Sequence, residues 1–136
     1  MAVMTVKGPV NGQSLGIVSP HEHIFIDMSV FYQEPEEISA KVRARGPVTI
    51  EKLGVLKRNP FAVLDNVQMT DFETQIKEIE YFQNAGGCTV VDATTVGLGR
   101  DPELLRKVAN RTGLHIIAGA GYYVESAQKS SDLAIS

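Results

Sequence analysis

Apolar residues recur at helical spacing in two stretches of this chain, and each stretch is followed by a short apolar run. In the first, Phe72, Ile76, Ile79 and Phe82 form one stripe, which predicts a helix over residues 70–84. Thr70 and Glu73 have the spacing of a capping box at its start, and Gly86 with Gly87 ends it. The β-rich run over residues 88–93 reads as a buried parallel strand. In the second stretch Leu104, Leu105 and Val108 supply the apolar face, between a start at Asp101-Pro102 and a stop at Gly113. Residues 115–120 form the next strand-like run. Upstream, residues 4–10 and 13–19 read as a hairpin about Asn11-Gly12, since both turn residues tolerate positive φ. Its second arm runs directly into His21-Glu22-His23.

No periodicity is sustained over residues 28–69, which Pro35, Gly46, Pro47 and Pro60 interrupt repeatedly. A short helix over 36–45 is predicted there. A connection this long in a compact domain is usually functional or disordered. The order is therefore strand, long connection, helix, strand, helix, strand. Such alternation implies an α/β fold with parallel strands and right-handed crossovers.

Composition narrows the picture. At 136 residues, 43% hydrophobic and 21% charged, the chain is expected to be one soluble globular unit. A net charge of -3 gives no reason to expect a nucleic-acid partner. Lys41, Arg43 and Arg45 lie beside Glu34, Glu36 and Glu37 and read as a solvated loop. Cys88 is the sole cysteine, so no intrachain disulfide forms, and its apolar setting suits a small hydrophobe better than a nucleophile. No signal peptide or membrane-length run is visible, so the expected compartment is the cytoplasm, with no membrane partner. The polar, small residues over 125–136 read as a loop whose continuation is missing.

The chemistry concentrates at His21-Glu22-His23. Residues i and i+2 of a strand share a face, so both imidazoles aim one way and Glu22 the other. Two imidazoles together suit zinc or a similar divalent ion, although paired strand histidines can also be merely exposed or packed. The motif closes its strand, and the C-terminal end is where α/β barrels build their sites. His115 instead opens its strand, which favours a structural or surface role. Asp92 lies near the end of its strand. It either ties down the loop over residues 94–100 or orients a ligand histidine by a hydrogen bond. After Gly119-Ala120-Gly121, Tyr122 and Tyr123 are expected to split, one ring facing the pocket and the other the helix layer. Gly97-Leu98-Gly99 lacks the rest of any phosphate-loop fingerprint, so nucleotide binding is rejected.

Taken together, these residues resemble the phosphotriesterase family of the amidohydrolase superfamily, which includes lactonases and phosphotriesterase-related proteins. The resemblance is carried by Leu15-Gly16 leading to His21-Glu22-His23, and by Asn84-Ala85-Gly86-Gly87 leading to Val90-Val91-Asp92. Gly99-Arg100-Asp101-Pro102 and Thr112-Gly113-Leu114-His115, running on to Gly121-Tyr122-Tyr123, complete it. It implies a partial (β/α)8 barrel: an N-terminal hairpin plus about the first three βα units, spanning residues 1–136 as one portion of a larger domain.

It further implies that His21 and His23 bind the more buried of two divalent metal ions, most naturally zinc, and that Tyr123 is a substrate-binding aromatic. The family's bridging lysine, two further histidines and an aspartate come from strands four to eight. No catalytic residue of that machinery therefore falls in this stretch, and a barrel of this kind needs about 250 residues. The implied activity is metal-dependent hydrolysis of a small-molecule lactone, carboxyl ester or phosphotriester through a bridging water. A homodimer is compatible with the full-length protein. The competing reading is a non-catalytic barrel remnant that binds metal weakly or joins a partner chain. A deacetylase or nuclease barrel is disfavoured by the Gly-Arg-Asp-Pro loop and the Gly-Tyr-Tyr end.

Overall fold

The protein opens with two short antiparallel strands, β1 (Ala2–Thr5) and β2 (Gly8–Asn11). The structure, a computed structural model, describes residues 1–128. The reversal lies at Val6-Lys7 and not at Asn11-Gly12. The Thr5 hydroxyl closes it, donating to the Gly8 carbonyl at 2.7 Å and accepting the Lys7 amide at 3.2 Å. Gly8 takes φ +111°, a conformation that costs glycine little. Asn11 instead caps a 3-10 turn over Gly12–Ser14, its side chain accepting the Gln13 amide. The Asn-Gly pair is thus spent on a cap, which uses the same side-chain acceptor without reversing the chain.

Strand β3 (Ile17–Glu22) leads to His23, and a two-residue strand, β4 (Ile26–Asp27), follows. Residues 28–69 then leave the sheet and return. They contain α1 (Ile38–Arg45), α2 (Leu53–Leu56) and, at the end, β5 (Gln68–Met69), which pairs antiparallel with β4. The predicted short helix is α1. The rest of the excursion is folded on itself, with Ala44, Leu56, Val63 and Val67 buried and Phe31 against Phe61. Glu34 pairs with both Lys41 and Arg45, which lie one helical turn apart on α1.

Helix α3 (Phe72–Asn84) is capped by Asp71, whose carboxylate accepts the Thr74 amide at 2.8 Å. The cap is therefore one residue later than the Thr70–Glu73 spacing predicts, because aspartate is the stronger acceptor for the first turn. Strand β6 (Gly87–Asp92), helix α4 (Pro102–Thr112) and strand β7 (His115–Ala118) complete the order. Asp101 caps α4 through the Leu104 amide with Pro102 in the first turn, and Gly113 ends it at φ +82°.

Strands β3, β6 and β7 form one parallel sheet in the order β3-β6-β7. Ile76 and Ile79 of α3 and Leu105, Val108 and Ala109 of α4 form a core with Val90 of β6 and Ile116 of β7. Val90 and Ile116, register partners, are 2% and 0% exposed, whereas their strand neighbours Val91 and Ile117 are only half-buried. The sheet is thus covered on its helix side. Ile17 and Val18 of β3 stay exposed, as the edge and inner face of a barrel beginning would be. The N-terminal hairpin rests against β7, with the Val6 amide donating to the Ile116 carbonyl at 2.8 Å. No helix among the described residues is long and apolar enough to cross a membrane.

Candidate metal centre

The parallel register of β3 on β6 is interrupted between Ser19 and Glu22. Ser19 pairs with Val90 and Glu22 with Asp92, so Pro20 and His21 together oppose Val91 alone. This bulge accommodates Pro20, which has no amide proton to give a ladder. It also brings Ser19 and Glu22, three residues apart, to one side, where the Ser19 hydroxyl donates to the Glu22 carboxylate at 2.6 Å. Both border a cleft of about 230 Å³ against Gln75, Glu78 and Phe82 of α3. Glu22 therefore borders the helix layer, in a cleft that His23 also lines.

His21, within the bulge, and His23, just past it, come together, their ring centroids 5.6 Å apart with planes at 75°. His21 is exposed and His23 half-buried. The pair lies at the C-terminal edge of the sheet. Among the described residues no group of three or more His, Cys, Asp or Glu side chains is placed to hold a metal ion. Two imidazoles side by side fit part of a divalent coordination shell, and further ligands would have to come from elsewhere.

Asp92, 1% exposed, underlies the pair. One carboxylate oxygen accepts the Ile24 amide at 2.8 Å, and the other accepts the Thr94 amide at 2.9 Å. Its backbone carbonyl accepts the Gly119 amide at 2.6 Å. A Cβ on Gly119 would lie 2.9 Å from that carbonyl, so the close approach of the two strand ends requires glycine there. Asp92 thus ties the chain just after His23 to the loop after β6, making its hydrogen bonds to amides.

The residue that sequence reasoning passed over is Thr94. Its hydroxyl lies 2.9 Å from His23 Nδ1 and donates to the Phe25 carbonyl at 3.0 Å. Only its position two residues past Asp92, at the end of a parallel strand, could have drawn notice to it.

Tyr122 and Tyr123 lie beyond β7 and are 50% and 53% exposed. Both rings lie on an irregular segment beyond β7 and not on a strand. His115 pairs with Thr89 near the start of β6, at the opposite end of the sheet from the histidine pair. Cys88 is exposed, not packed as a small hydrophobe. Residues 125–127 of the expected terminal loop form a 3-10 turn, and residues 129–136 lie outside the described residues.

A hairpin followed by a parallel β-α-β-α-β run, with paired histidines at the first strand's C-terminal end, matches the opening portion of a (β/α)8 barrel. The chain belongs to the phosphotriesterase family, whose model matches residues 1–134. It is 37% identical over 98% of its length to the N-acetyltaurine hydrolase of Rattus norvegicus and 33% identical to that of Homo sapiens. It covers 38% of each of those relatives. Among solved structures, a resiniferatoxin-binding protein from Rhodobacter sphaeroides superposes with a TM-score of 0.87 at 35% identity, over 99% of this chain and 38% of that one. The organophosphorus hydrolase from Deinococcus radiodurans superposes at 0.59 with 27% identity, over 92% of this chain and 30% of that one.

Proposed function

We propose that this chain builds the first-strand corner of a metal-dependent hydrolase. In this reading His21 and His23 hold one of two divalent ions, zinc before others, and Tyr123 borders a small-molecule substrate. The observation that carries it is the apposition of two imidazoles 5.6 Å apart at the sheet's C-terminal edge, in a chain of this family. A divalent ion held there supplies Lewis-acid chemistry for hydrolysis. The chain's own residues bind and position. His21 and His23 donate ring nitrogens, and Asp92 holds the backbone on the far side of His23. The Ser19 hydroxyl engages the Glu22 carboxylate.

The bond attacked in this reading is of ester type: a lactone, a carboxyl ester or a phosphotriester. The relatives named N-acetyltaurine hydrolase add N-acetyl compounds to the substrates worth assaying. The compartment proposed is the cytoplasm, with no nucleic-acid or membrane partner and a homodimer for the full-length protein.

The test is hydrolysis by the complete reading frame that contains this chain, assayed with added Zn²⁺ against lactones, phosphotriesters and N-acetyl compounds. Turnover is expected, and His21→Ala or His23→Ala should each lower it by about 100-fold or more. Turnover that survives both substitutions would overturn the proposal.

A further inference from the structure

We propose that Thr94 is a positioning residue that sets the tautomer of His23, leaving Nε2 as the nitrogen with a free lone pair. This inference rests on the reading of His23 as a metal ligand and names what prepares it for that role.

The Thr94 hydroxyl has a single proton to donate. Thr94 Oγ1 lies 3.0 Å from the Phe25 carbonyl oxygen, which can only accept, so the hydroxyl proton is committed there. The same oxygen lies 2.9 Å from His23 Nδ1. With its proton spent, it can only accept from the ring, so Nδ1 must carry a hydrogen. In a neutral imidazole the other nitrogen, Nε2, is then unprotonated and able to ligate.

The hydroxyl is held in this geometry from several directions. Thr94 is 1% exposed, and as a β-branched residue it has few χ1 alternatives. Its amide donates to one oxygen of Asp92, and the Ile24 amide, next to His23, donates to the other. One buried carboxylate therefore fixes the backbone on both sides of the Thr94–His23 contact. A residue that orients a ligand histidine through its second nitrogen is a general requirement of metal sites, and it is usually met by a carboxylate or a carbonyl. Here the sequence meets it with a hydroxyl whose own proton is tied down.

The experiment is a long-range ¹H–¹⁵N correlation spectrum of the complete reading frame that contains this chain, labelled with ¹⁵N-histidine, at about pH 8, above the ordinary imidazole range. It is recorded for wild type, Thr94→Ser and Thr94→Val, without metal and through a Zn²⁺ titration. His23 is expected as the Nδ1–H tautomer in wild type and in Thr94→Ser, which keeps the hydroxyl. In Thr94→Val it should become a tautomer mixture. Apparent zinc affinity should fall by about 10–100-fold in Thr94→Val and recover in Thr94→Ser.

A wild-type His23 protonated on Nε2 overturns the proposal, whether or not the valine variant folds. So does a folded Thr94→Val with an unchanged tautomer. An Nδ1–H tautomer that depends on Thr94, with no zinc-induced change at His21 or His23, supports the hydroxyl lock and overturns the metal-ligand reading beneath it.

Discussion

The Asp92 carboxylate accepts two buried amides from separate loops, so its removal strands both donors away from water. Asp92→Ala is expected to cost about 3 kcal/mol, read from the midpoint of urea unfolding. A cost below about 1 kcal/mol would mean that water or a rearranged loop satisfies the Ile24 and Thr94 amides instead. Asp92→Asn, which keeps one carbonyl acceptor, should cost less. At this scale the sequence was partly informative. An acid near the end of an apolar strand needs partners, and loop amides were one of its two expected roles. Thr94 gave no comparable signal, because threonine is ordinary after a strand and its partner His23 is 71 residues away.

Elements with local start and stop signals formed where the pattern predicts. Helix α4 runs from the Asp101 cap to Gly113, and Asp101→Ala should lower stability by about 1 kcal/mol in chemical denaturation. At α3, hydrogen bonds from the Thr74 side chain and amide to Asp71 hold that carboxyl below the ordinary aspartate range. A depressed folded-state value means that the stabilisation is present above the unfolded-state pKa and is lost as pH falls through the folded one. Asp71→Asn, which caps without titrating, should leave neutral-pH stability nearly unchanged. It should also flatten the acid limb of Tm against pH, and an unaltered acid limb would show that this cap does not contribute there. The excursion over residues 28–69 is the opposite case. Its pieces are short and depend on Phe31–Phe61, the β4–β5 pairing and the Glu34 ion pairs, none of which leaves a periodic trace.

For the whole molecule, the decisive quantity is the number of ligands that the fold brings together. The described residues unite two histidines and no group of three or more candidate ligands, while a catalytic zinc site normally needs at least three protein ligands. The 136-residue chain assayed alone, with Zn²⁺ present, is therefore expected to show no hydrolysis of lactones or phosphotriesters above background. Robust turnover by it, abolished by His21→Ala, would show that residues outside those described complete the site.

By itself the sequence determined helices α3 and α4 and the succession of strands around them. These depend on spacings of two to four residues, which side-chain periodicity and capping chemistry set within one turn or one pleat. Only the tertiary structure decided the bulge that absorbs Pro20, the cap role of Asn11, the folding of residues 28–69, the exposure of both tyrosines and the contact of Thr94 with His23. Each depends on which distant backbone or side chain arrives opposite a residue, and local chain stereochemistry carries no record of that partner.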